Sequence, residues 1–110
     1  MNVFVYGTVM NGHHNHKILT ASLIKYLGET RVNRWLMYDL GTFPACVPAN
    51  DAFSIAGEVY EVDNLDDMDY LESYPEFYNR VEIDTEFGTA WIYYVECASG
   101  KIIVDGKWKL

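Results

Sequence analysis

The chain has 110 residues, 16 of them acidic and 8 basic, for a formal net charge of −8. A chain of that length that is half hydrophobic and 15% aromatic is no disordered segment, and residues 1–110 are expected to bury one core as a single domain. The negative charge repels phosphate backbones and anionic lipid, so it argues against nucleic acid or a membrane as partner.

Val3 to Tyr6 is a continuous apolar run stopped by Gly7, the pattern of a strand buried on both faces. Residues 8–16 are polar and predict a loop, and residues 17–27 predict a short helix closed near Gly28. Arg31 to Leu40 and Phe53 to Val62 read as strands. The stretch Gly41 to Asp51 between them, with Pro44 and Pro48, reads as turns. Asp63 to Tyr74 is the clearest helix: Asp63 or Asn64 caps it, Asp66 and Asp67 suit its N-terminal end, and Pro75 stops it. Phe77 to Phe87 alternates, with Val81, Ile83 and Phe87 on one face and Tyr78, Arg80, Glu82, Asp84 and Glu86 on the other. Ala90 to Cys97 predicts an aromatic-rich strand, followed by a short one at Lys101 to Val104. Many strands and one or two helices predict an α+β fold with a curled or barrel-like sheet.

No run approaches the roughly 20 apolar residues that span a bilayer. The first strand begins at once, which leaves no room for a targeting segment, and Cys46 and Cys97 lack CxxC spacing. A cytoplasmic protein with two free thiols is expected.

Glu72 is the most informative residue. On a helical wheel Leu65, Met68 and Leu71 define the buried stripe, and Glu72 falls inside it, four residues after Met68. Burial and the negative helix end both raise a carboxyl pKa, as a proton-shuttling group at neutral pH requires. The alternative is a frayed last turn that lets Glu72 reach solvent.

Tyr6-Gly7-Thr8-Val9 follows the first strand directly. A positive φ at Gly7 would present successive N–H groups as a nest for a carboxylate or an oxyanion; the alternative is an ordinary turn. Tyr78 and Arg80 share a strand face and suit either substrate contact or, respectively, packing and charge balance with Glu82 or Asp84. His13, His14 and His16 sit in a polar loop with no carboxylate or Cys at ligand spacing, so an exposed loop is expected rather than a metal site. Cys46 sits between Ala45 and Val47 and reads as a core residue rather than a nucleophile.

Taken together and in order, these segments resemble the γ-glutamylcyclotransferase-like family, particularly its short γ-glutamylamine cyclotransferase and AIG2-like members. Val3-Phe4-Val5-Tyr6-Gly7-Thr8-Val9 is similar to the family's opening VFVYGTL, and Gly41-Thr42-Phe43-Pro44 to its Gly-x-aromatic-Pro turn. Gly57-Glu58-Val59-Tyr60 resembles its central strand. Met68 to Glu72 with Pro75, Tyr78 and Arg80 resembles LDxLExxPxxYxR, and Asp105-Gly106-Lys107-Trp108 its close. Val9 and Met68 stand where Leu is usual, and Met10-Asn11 where basic residues are usual.

The resemblance implies a small mixed β-barrel-like sheet with one or two peripheral helices. It also implies cyclisation of a γ-glutamyl group to 5-oxoproline with release of an amine, without cofactor or metal. Glu72 takes the role of catalytic acid/base, and Tyr6, Gly7, Thr8, Val9 and Tyr78 that of substrate-binding residues. The competing expectations are a non-catalytic small-molecule-binding domain and a protein-interaction domain of the same fold.

Overall fold

In the computed structural model, which describes residues 1–109, the first strand β1 (Asn2–Val5) lies at the centre of the larger sheet. Its alternation sends Val3 and Val5 into one apolar cluster and Phe4, followed by Tyr6, into another on the opposite face. Both faces are thus covered, as the unbroken apolar run predicts.

The remaining elements are α1 (Lys17–Thr20), β2 (Leu23–Asn33), β3 (Trp35–Asp39), β4 (Pro44–Pro48), β5 (Ser54–Val62), α2 (Asp66–Leu71), β6 (Asn79–Thr85), β7 (Gly88–Tyr94) and β8 (Lys101–Ile102). Five strands form a mixed sheet in the order β2-β5-β1-β7-β6, and three form a second sheet, β4-β3-β8. Within the larger sheet β1 runs antiparallel to β5 but parallel to β7, with Val3 opposite Trp91 and Phe4 opposite Ile92. The edge strands curl towards each other: the Phe87 ring at the β6–β7 turn occupies the space where Gly28 of β2 has no side chain. The architecture is the α+β fold expected, a curled mixed sheet with two small helices.

Local pattern and tertiary pairing disagree in several places. Only residues 17–20 of the expected 17–27 helix are helical, and residues 23–33 become β2. With one edge of β5 taken by β1, its other edge offers a row of backbone groups that β2 satisfies along its length. The ladder needs register shifts at Leu23/Lys25 and Tyr26/Gly28. The expected strand 31–40 breaks at Arg34, where φ is +74°, and its two halves join different sheets. Within the expected turn 41–51, Pro44–Pro48 is a strand, four of its five residues buried.

Helix α2 is shorter than the expected 63–74. Asn64 accepts the first-turn N–H of Asp66 at 3.0 Å, while Leu65 occupies the cap position. On β6 the expected faces are reversed at the start: Tyr78 and Arg80 turn inward, and Val81 is 39% exposed. Among the described residues no helix is long and apolar enough to cross a membrane.

Candidate active site

Helix α2 ends at Leu71, and Glu72 is its C-terminal cap, with an N–H that still bonds the Met68 carbonyl at 2.9 Å. Ser73 then takes a left-handed φ of +51° and reverses the chain. Leu65 and Met68 are buried on the stripe read from the wheel, and Glu72 continues that stripe past the helix end. Its side chain borders a cavity of about 260 Å³ together with Tyr6, Gly7, Thr8, Val9 and Tyr78. Six of the candidate residues read from the sequence thus border one cavity, and Arg80 does not.

The residue keeps some solvent access, but its carboxyl group is largely desolvated and accepts no hydrogen bond among the described residues. Burial pushes its pKa from 4.5 up to about 7. Burial is the cause that the surroundings of the carboxyl make plain, in line with its place on the buried stripe.

The loop after β1 is held from below. Asn15 donates its backbone N–H to Thr8 O at 2.8 Å and its side-chain amide to Thr8 Oγ1 at 2.9 Å. The His16 ring donates from Nδ1 to Val9 O at 2.9 Å. Farther along, Asn11 N–H and the Tyr60 hydroxyl both donate to Oε1 of the buried Glu58 at 2.8 Å. With the carbonyls of Gly7, Thr8 and Val9 engaged, their N–H groups have no acceptor among the described residues. These are free donors at the border of the cavity.

Gly7 itself is not left-handed, contrary to the nest geometry expected. Glycine is required there for space: a Cβ would lie 2.8 Å from Pro44 Cγ and 2.9 Å from Cδ.

Tyrosines line the cavity and stay protonated. Tyr78 donates to Pro44 O at 2.6 Å and Tyr6 to Tyr93 O at 2.7 Å. Burial first, and then nearby acidic groups including Glu72, lift the pKa of Tyr78 and Tyr6 well above the ordinary phenol value.

Tyr93 donates to Asp69 Oδ1 at 2.5 Å, a contact sequence reasoning missed. Asp69 in turn receives Arg80 in a fork, at 2.9 Å from Nε and 3.3 Å from the second nitrogen. The Arg80 guanidinium is stacked between Tyr74 and Trp91, 4.5 and 4.6 Å from their ring centres. Its partner is thus Asp69, eleven residues back, rather than Glu82 or Asp84. The available signal was the pair of opposite charges flanking the chain reversal after α2.

The histidines have separate surroundings. His14 borders the cavity, His16 holds the loop, and the buried Nδ1 of His13 has no partner among the described residues. Among the described residues no group of three His, Cys, Asp or Glu side chains is placed to hold a metal ion. Cys46 is buried and reduced, and burial raises its thiol far above the ordinary value, so no thiolate is available at neutral pH.

Fold and site together describe a small α+β protein in which a desolvated carboxyl and a loop with free backbone donors border one cavity of about 260 Å³. Comparison with known proteins gives the class its family: the chain belongs to the gamma-glutamyl cyclotransferase, AIG2-like family, whose sequence pattern matches residues 3–110. It is 43% identical to a Vibrio cholerae relative named for γ-glutamylcyclotransferase, over 96% of this chain and 93% of that one. It is 35% identical to the γ-glutamylcyclotransferase family protein YtfP of Escherichia coli, over 98% and 96% of the two chains. The solution structure of that E. coli protein superposes with a TM-score of 0.77 and covers 98% of this chain and 96% of its own. A Pyrococcus horikoshii crystal structure superposes at 0.80, with 28% identity, over 97% and 88% of the two chains.

Proposed function

We propose that the protein cyclises a γ-glutamyl group to 5-oxoproline and releases the amine that was attached to it. The observation that carries this reading is a carboxyl, with a pKa near 7, that shares a cavity with unpaired N–H donors and, among the described residues, with no lysine or arginine.

The reaction is an intramolecular aminolysis. The substrate's α-amino nitrogen attacks its own γ-carbonyl carbon, forming the ring C–N bond as the exocyclic C–N bond breaks. Nucleophile and electrophile are already tethered, so the protein needs only to hold a reactive conformer and move protons. Glu72, as carboxylate, takes a proton from the α-ammonium and passes it to the departing amine nitrogen; the second proton that the ring nitrogen sheds travels through the same carboxyl to the released amine, which leaves as ammonium. A carboxyl with a pKa near the working pH does both at little cost in either direction. The N–H groups of Gly7, Thr8 and Val9 hold the substrate's α-carboxylate or the oxyanion of the tetrahedral intermediate. Tyr6 and Tyr78 shape the wall with hydroxyls already engaged, so they orient substrate rather than exchange protons.

The test is release of 5-oxoproline from a panel of γ-glutamyl amides by the wild type and by Glu72→Gln. Release by the wild type alone is expected. A folded, fully active Gln variant removes Glu72 from the mechanism, and no release from any amide removes the reaction.

A further inference from the structure

Five residues border the cavity and are also exposed: His14, Thr42, Phe43, Ser73 and Phe77. They form its mouth, whereas buried residues such as Val5, Tyr6, Met68 and Tyr78 form its interior. Two of the five are large aromatic rings. Phe43 is 36% and Phe77 48% exposed, and the rings meet edge to face with centres 6.2 Å apart.

Separate segments deliver them to the same opening. Phe43 sits in the β3–β4 turn, closed by Leu40 N–H on its carbonyl at 3.0 Å. Phe77 sits in the loop after α2, its N–H on Ser73 O at 2.8 Å and its ring against Tyr78 at 4.8 Å. Neither ring belongs to either core cluster, so each leaves apolar surface in water at the entrance to the cavity.

A γ-glutamyl amide has one charged end and one variable end. The charged end carries the α-carboxylate and α-ammonium, which match the free N–H groups and Glu72 inside. The variable end hangs on the nitrogen that must depart, so it needs a path to solvent through the mouth. There it meets two rings and no lysine or arginine.

We propose that Phe43 and Phe77 receive the amine side of the substrate and select γ-glutamyl amides of aromatic or bulky apolar amines; this rests on the cyclisation reading above. Aromatic rings pair favourably in offset or edge-to-face geometry, so a third ring gains both contact area and orientation. A carboxylate on the amine side gains nothing at this mouth and shares the cavity with Glu72. A neighbouring depression carrying Lys101, Lys107 and Lys109 shares His14 and Thr42 with the mouth, which makes an acidic amine the decisive rival in the test.

The test compares the γ-glutamyl conjugates of methylamine, 2-phenylethylamine and glycine as substrates of the intact protein. The phenylethyl conjugate is expected to exceed both others in kcat/KM by roughly tenfold. Phe43→Ala and Phe77→Ala should bring that ratio close to one, mainly through KM, and Phe77→Leu should leave an intermediate ratio. Circular dichroism and a melting curve establish that each variant is folded. Turnover of all three conjugates with equal kcat/KM, or preference for the glycine conjugate, overturns the aromatic selection and leaves cyclisation standing. Unchanged ratios in folded Ala variants overturn the role of the two rings. Absence of 5-oxoproline from every conjugate removes the cyclisation reading, and the selection with it.

Discussion

Tyr78 donates its hydroxyl to the carbonyl of Pro44 at 2.6 Å, joining the residue before β6 to the first residue of β4. The ring of Pro44 lies over Gly7, so the β1 loop, the small sheet and the segment after α2 are fastened at one corner of the cavity. Tyr78→Phe keeps the ring and leaves a buried carbonyl without its donor. A loss of about 1–2 kcal/mol in urea unfolding is expected, with a smaller fall in activity than for Glu72→Gln. An unchanged unfolding midpoint would show that this bond does not fasten the corner.

Gly7→Ala tests the same corner from the opposite side. The added methyl meets Pro44 ring carbons at 2.8 and 2.9 Å, and the rigid ring of this buried proline has little freedom to retreat. The loop must shift, and overpacking of this kind costs about 1–3 kcal/mol. Because the shifted N–H groups are the proposed anion donors, KM should rise together with the loss of stability. A thermal melt and a substrate titration on one preparation read both effects.

Arg80 sits behind the cavity rather than in it. Its side chain and that of Asp69 are 20% and 24% exposed, so the pair is neither a surface bridge nor fully dry. Arg80→Ala leaves Asp69 with only the Tyr93 hydroxyl, and an expected loss of about 1–3 kcal/mol by chemical denaturation. Arg80→Lys should recover little, because an ammonium has neither the forked donors nor the flat face that fills the gap between Tyr74 and Trp91. Full rescue by lysine would reduce the site to a simple charge pair.

Glu72 gives the pH dependence a definite sign. Its folded pKa of about 7 exceeds the value of 4.5 in the unfolded chain, so the native state binds this proton more tightly. The contribution is fully present below about 4.5, and stability is lost as pH rises through 7. The amount is of the order of 3 kcal/mol by linkage. Glu72→Gln removes that decline and should be more stable than wild type at pH 8, while the two converge near pH 5. Activity runs the other way, with kcat/KM for the wild type rising as the carboxylate forms near pH 7. Parallel unfolding curves for the two proteins from pH 5 to 8 would show that Glu72 is ordinarily solvated.

Much of the site was legible because its parts lie in short, locally distinctive segments. Glu72 broke an apolar stripe, Gly7 ended an apolar strand, and Tyr78 followed a helix stop at fixed distance. Each departs from a local pattern, and such departures survive errors at element boundaries. The stripe identified Glu72 even though the helix ends at Leu71.

Elements whose form is set by a distant partner were not legible in that way. Residues 23–27 carry helical spacing yet form a strand, since β5 has an edge to fill. Arg80 lies beside Glu82 and Asp84 along the chain, yet the reversal after α2 brings Asp69 to it instead. Phe43 belongs to a recognisable turn and Phe77 to none, and nothing in the sequence relates them; they form a pair only because two loops close on one opening.

By itself the amino-acid sequence determined the α+β class, the family and the residues that carry the candidate chemistry, because these depend on side-chain types and short-range spacing. Only the tertiary structure decided that Glu72 is desolvated, that Gly7 is needed for space beside Pro44 rather than for a positive φ, and that two phenyl rings guard the mouth. Desolvation, close approach and pairing across loops are properties of which surfaces meet, and that is settled only when the two sheets and the helix pack together.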